Sequence, residues 1–182
     1  MKIIIPAIIV IIILATFGVA WRLTMNEAPP LVTNFEECIT AGNPVMESYP
    51  RQCRAGDKSF TEVIGNELDK SNLIRVASPR PNDKISSPVV IKGEARGTWF
   101  FEASFPVFIT DWDGKIVVQG IATAKSEWMT TDFVPFEAIL TYKAEKSYSN
   151  KGTLILRKDN PSGLPQHDDA LGIPVILLDY GN

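Results

Sequence analysis

Three consecutive blocks decide the fold class: Leu73-Ile74-Arg75-Val76-Ala77, then Ser78-Pro79-Arg80-Pro81-Asn82-Asp83, then Val89-Val90-Ile91-Lys92-Gly93-Glu94-Ala95. The first alternates apolar and polar side chains, the period of a strand with one buried face. The second is a break built of proline and turn residues. The third returns to β-branched residues and reads as a second strand.

Downstream the same grammar repeats. Residues 99–110 read as a longer strand, bulged or bent at Pro106. Asp111-Trp112-Asp113-Gly114 reads as a turn, and residues 115–121 return from it. Residues 133–142 supply a fifth strand. Residues 152–157 supply a sixth, with Leu154 and Leu156 on one face, and residues 173–179 a seventh. Seven short strands separated by turn signals predict an all-β sandwich over residues 73–182. No long stretch of helical apolar spacing occurs after the N-terminal run. Both cysteines precede this domain, so the predicted sandwich rests on its apolar core alone.

Upstream lies a polar joint at residues 65–72. Before it comes a small module, residues 35–64, bracketed by Cys38 and Cys53. Gly42-Asn43-Pro44 and Tyr49-Pro50 let the chain fold back between the two cysteines. A structural disulfide is expected, because an exported segment meets an oxidising compartment. The spacing is not Cys-x-x-Cys, and two cysteines with one distant histidine do not make a structural zinc site. Residues 23–34 read as a linker stiffened by Pro29-Pro30.

Residues 3–21 carry no charge and include eight isoleucines and two valines. A spanning helix needs roughly 20 apolar residues, and in lipid the cost of unsatisfied backbone groups favours helix even for β-branched side chains. Residues 1–22 are therefore expected to be a signal-anchor transmembrane helix in the cytoplasmic membrane, with the C-terminal domain extracytoplasmic. Trp21 would sit at the interface. The rival reading is a cleaved signal peptide, with Gly18-Val19-Ala20 as a small-residue cleavage site. The length of the apolar core favours the anchor. No cysteine follows the run closely enough for lipidation.

The whole chain has a formal charge of −3. Without Lys2 and Arg22, 16 basic side chains face 21 acidic ones, leaving −5. An acidic exported part argues against a nucleic-acid partner, whose phosphates demand a basic face.

The motifs of the larger domain resemble the immunoglobulin-like domain family of bacterial spore germination proteins, over residues of about 73–179. The resemblance is carried by the 78–83 break, Ser86-Ser87-Pro88, the strand at 90–95 and Phe101-Glu102. Further carriers are Asp111-Trp112-Asp113-Gly114, Pro161-Ser162-Gly163-Leu164-Pro165, Asp168-Asp169 and Ile173-Pro174-Val175. It implies an immunoglobulin-like β-sandwich and a bacterial cell-surface setting. It supplies no catalytic residues, and the germination process is not carried over with it. The cysteine module is similar to small segments that precede envelope domains.

Candidate chemistry is sparse. His167, the only histidine, sits in a Pro/Gly/Asp loop, and no Gly-x-Ser-x-Gly nucleophile elbow accompanies it. Asp111 and Asp113 read as a hairpin turn rather than a calcium loop, since the further oxygen ligands of an EF-hand are missing. Asp168-Asp169 reads as loop. No catalytic residue, metal or cofactor is expected. In the 99–110 strand, Trp99, Phe101, Phe105, Val107 and Ile109 are expected to face the core and Phe100 to face away. With Trp112 in a turn and Trp128 in a polar stretch, Phe100, Trp112 and Trp128 form the candidate contact surface, for cell-wall glycan or an envelope protein. The reading is a non-catalytic envelope binding or scaffolding protein. The alternatives are an envelope hydrolase using surface carboxylates, or a ligand-free structural spacer.

Overall fold

The computed structural model describes residues 31–143 and 148–178. The apolar run at 3–21, with its expected membrane crossing, and the linker up to residue 30 lie outside these residues. Among the described residues no helix is long and apolar enough to cross a membrane. The chain forms two compact units that divide between Thr61 and Glu62.

The smaller unit contains helix α1 (Phe35–Thr40) and the antiparallel strands β1 (Val45–Met46), β2 (Gln52–Ala55) and β3 (Lys58–Thr61), in the order β1-β2-β3. Helix α1 starts where it does because Asn34 Oδ1 accepts from the Glu37 N–H at 2.9 Å. In return the Glu37 carboxylate accepts from the Thr33 hydroxyl at 2.7 Å and the Thr33 N–H at 2.8 Å. One orphan donor at the helix start, the Glu37 N–H, is thereby satisfied, and the Glu37 side chain in turn ties down Thr33 ahead of the cap. Those two bonds hold the Glu37 carboxyl below its ordinary value. As expected, Cys38 and Cys53 form a disulfide, with Cα atoms 6.0 Å apart. It joins α1 to β2, and both sulfurs are buried beside Phe35. The Arg51 guanidinium covers the Phe35 ring at 5.4 Å. Disulfides persist in oxidising compartments, so the bridge points to an extracytoplasmic setting for this module.

The larger unit holds helix α2 (Glu67–Lys70) and eight strands. They are β4 (Ile74–Ser78), β5 (Lys84–Ile85), β6 (Val89–Arg96), β7 (Ser104–Asp111), β8 (Ile116–Ala124), β9 (Phe133–Leu140), β10 (Lys151–Arg157) and β11 (Ala170–Leu177). They form one mixed sheet in the order β4-β6-β9-β8-β7-β10-β11-β5. Every neighbouring pair is antiparallel except β11 with β5. Strands β8 and β9 share only two register pairs, Thr123↔Glu137 and Ala124↔Phe136. At this weak seam the sheet curls, and its two halves bury their apolar faces in one core. Ile74, Ile91 and Phe136 come from one half; Phe105, Leu154 and Ile173 come from the other. Phe105 and Phe136 meet edge-to-face, ring centroids 5.0 Å apart.

The chain is mostly β, as expected, but the larger unit also carries a short helix, and it has eight strands instead of seven, in a single curled sheet where a two-sheet sandwich was expected. The added strand is β5. Two residues cannot display a period, and β5 exists because β11 lies alongside: Ile176 N–H donates to Asp83 O at 2.9 Å and Leu178 N–H to Ile85 O at 3.0 Å. The Tyr142 hydroxyl donates to the Ile85 carbonyl at 2.9 Å. This ties the segment after β9 to β5.

A second correction concerns residues 99–101. They are not strand: Gly97–Trp99 forms a 3-10 turn, and β7 begins only at Ser104. A side chain at Gly97 would bring a Cβ within 1.9 Å of the Thr130 carbonyl oxygen, so only glycine fits. Glu102 and Ala103 then adopt left-handed φ values of 48° and 59°. Alternation cannot pass through such a turn. Phe100 is consequently buried, at 4% exposure, and Phe101 is 40% exposed, the reverse of the expected facing. From Phe105 onward Phe105, Val107 and Ile109 are buried as expected. Pro106 pairs in register with Ile121, and the irregularity falls instead between Ile109 and Thr110.

The polar stretch 65–72, expected as a joint, is bonded into the larger unit. Asn66 binds the β11 backbone through its amide, and Lys70 Nζ lies 2.6 Å from Asp169 Oδ1. Glu67 is buried and paired with Arg80.

Candidate contact surfaces

The turn between β7 and β8 is organised by Asp111. Its Oδ1 accepts from the Asp113 N–H at 3.0 Å and the Lys115 N–H at 2.9 Å, and Gly114 takes φ +83°. An aspartate occupied this way shapes a hairpin. Trp112 projects from the turn, 50% exposed, with its ring centroid 6.0 Å from that of Tyr148, at a tilt of 57°. Tyr148 is almost fully exposed. It lies 36 positions along the chain in a polar stretch, and no local signal ties it to Trp112.

The other two candidates behave differently. Phe100 leaves the contact surface, because it is buried against Phe105 at 5.1 Å between ring centroids. Trp128 is partly buried and packed against the core, so it contributes to stability rather than standing free. The three residues singled out in the sequence therefore do not gather. Trp112 alone is presented, and its companion is Tyr148.

The loop carrying His167 is an exposed 3-10 turn, Pro165–His167. Asp168 Oδ1 accepts from Asn160 Nδ2 at 2.9 Å and from Arg157 Nη2 at 3.3 Å, contacts that hold its carboxyl below the usual range. Asp169 Oδ1 accepts from the Ala170 N–H at 2.8 Å and pairs with Lys70. Both aspartates are turned to structural partners.

The outer face of β4, β6 and β9 is charged. The guanidinium carbons of Arg75 and Arg96 each stand 4.1 Å from the centre of the Phe133 ring. Arg75 also pairs with Glu94 at 3.1 Å. Lys92 and Lys125 share Glu137 at 3.5 and 3.4 Å. The positive charges of Lys125 first and Lys92 second, with their hydrogen bonds, lower the Glu137 carboxyl's pKa.

No curated protein and no solved structure matches the chain. A match to a known family spans residues 73–163, half of the chain, from just before β4 to the loop after β10; β11 continues the same sheet past it. The chain belongs to the family described as the immunoglobulin-like domain of bacterial spore germination.

Proposed function

We propose that the chain is a non-catalytic binding or scaffolding protein of the cell envelope. Its apolar run at 3–21 holds the immunoglobulin-like domain outside the cytoplasmic membrane, where the domain contacts cell-wall glycan or an envelope protein. The observation that carries this reading is the exposed pair formed by Trp112 in the β7–β8 turn and Tyr148 in the connection from β9 to β10. Exposed aromatic rings supply large contact area with little side-chain entropy to lose. The buried disulfide supports the extracytoplasmic setting, and the acidic exported part disfavours nucleic acid.

The test is retention of the full chain on purified cell wall, with Trp112→Ala and Tyr148→Ala compared to wild type. Retention is expected to fall about tenfold in each, the loss of about 1.4 kcal/mol, at unchanged melting temperature. Undiminished retention in both variants would reject the aromatic pair as the contact. Absence of any retention by the wild type would favour a ligand-free spacer.

A further inference from the structure

The outer face of β4, β6 and β9 carries more positive charge than its own carboxylates balance. Beside the shift in pairing between Val76 and Ser78, a groove of about 420 Å³ crosses the three strands. Its charged lining is Arg75, Lys92 and Lys125 with Glu94 and Glu137. Arg75 and Glu94 pair one for one. Glu137 serves both lysines, through long contacts of 3.5 and 3.4 Å, and each lysine side chain is more than half exposed. One lysine's charge is therefore left over. Arg96 lies farther along the same face of β6. Among the described residues its guanidinium meets the Asn72 and Thr131 carbonyls and the Phe133 ring, and no carboxylate. A second positive charge is left over there.

Both arginines are fixed in place. Arg75 Nε donates to the Ser71 carbonyl at 2.8 Å and Arg96 Nε to the Asn72 carbonyl at 3.1 Å. Cations held this way lose little freedom when an anion arrives. Lys92 and Arg96 stand four positions apart on β6, about 13 Å at the rise of a strand. No single phosphate or carboxylate spans that distance, whereas a chain of repeated anions does. An anionic bilayer is a poorer fit: it meets a whole face, and the exported part totals −5. A single thread in the groove feels chiefly the charges within a Debye length, about 8 Å. A nucleic-acid strand needs rings on which to stack its bases, and both guanidinium groups already cover Phe133.

We propose that this face binds an extended polyol-phosphate chain of the cell envelope, with phosphates at Lys92, Lys125 and Arg96. The two lysines turn from Glu137 to the phosphates, and Arg96 meets the chain where it leaves the groove. Charge complementarity carries the proposal: the surplus cations stand on one face of an otherwise acidic exported part. It rests on the extracytoplasmic placement in the reading above and not on the Trp112–Tyr148 pair.

The test titrates the full chain, in a neutral detergent, with polyglycerol phosphate. Three phosphate contacts predict a log–log slope of affinity against salt of about −2, at the roughly −0.7 per contact of a flexible strand. Lys92→Ala with Lys125→Ala should weaken binding about tenfold and bring the slope to about −0.7, with a thermal melt confirming the fold. Lys84→Ala with Lys158→Ala makes the same change in net charge in the other half of the sheet and should leave the affinity as it was. Glu137→Gln removes the competing carboxylate and should tighten binding about threefold, a gain that damage to the fold cannot imitate. Absence of binding by the wild type overturns the proposal, as does undiminished binding by the folded Lys92/Lys125 variant. An equal loss in the Lys84/Lys158 variant would reduce the effect to net charge and overturn it too. Mixed micelles of phosphatidylglycerol that compete as well as the polymer at equal phosphate would assign the face to lipid headgroups instead. The titration uses neither cell wall nor an aromatic contact, so its outcome stands apart from that of the retention test on Trp112 and Tyr148.

Discussion

Asn66 and Gly172 are bonded in both directions. The Asn66 side-chain oxygen accepts from the Gly172 N–H, and the Asn66 N–H donates to the Gly172 carbonyl. The amide group thus imitates a neighbouring strand at the edge of β11. Close approach is needed: at Gly65, with φ +71°, any Cβ would fall 1.9 Å from the Gly172 carbonyl oxygen. The segment ahead of β4 is held in the fold by this contact.

Asn66→Ala removes both side-chain bonds and leaves the Ala170 carbonyl and the Gly172 N–H in want of partners. A net loss of about 1–3 kcal/mol is expected, read as a lower urea midpoint at unchanged slope. A midpoint within error of wild type would mean that water replaces the amide at no cost.

Phe100 and Trp112 separate core from surface. Phe100→Ala empties a buried site against Phe105 and should cost about 3–5 kcal/mol. Trp112→Ala, at an exposed turn, should stay within about 0.5 kcal/mol. Equal losses from chemical denaturation of the two variants would contradict the opposite facings of these rings.

Glu137 makes stability depend on pH in a definite direction. Lys125 and Lys92 hold its folded-state pKa below the unfolded value of about 4.3. The contribution is therefore complete above that value and disappears as pH falls through the lowered one. Glu137→Gln should show a shallower fall in melting temperature below about pH 4.3 than wild type. The difference should shrink in high salt, because the site is exposed. Parallel melting curves for the two proteins would dismiss the interaction.

Cys38→Ser with Cys53→Ser should loosen the smaller unit. Closing a loop of this length contributes about 3 kcal/mol in the chain-entropy model. Limited proteolysis is expected to cut between residues 31 and 61 while the unit from Glu62 onward keeps its unfolding transition. Loss of cooperative unfolding in that larger unit would show that the two do not fold separately.

Much of the architecture was legible before any coordinates. Alternation in β4, β6 and β10, the proline break at 78–83 and the Asp-Gly turn at 113–114 each act over a few residues, and local patterns report them directly. The disulfide followed from compartment and from the turn residues between two cysteines. What tertiary structure decided was of longer range. β5 exists only because β11 lies beside it. Phe100 is buried because Gly97, pressed against the Thr130 carbonyl, turns the chain ahead of β7. Trp112 meets Tyr148 across a distance in sequence that no periodicity spans. Local sequence determines which face of a strand is apolar; the path of the neighbouring strands determines which backbone groups are left to find partners.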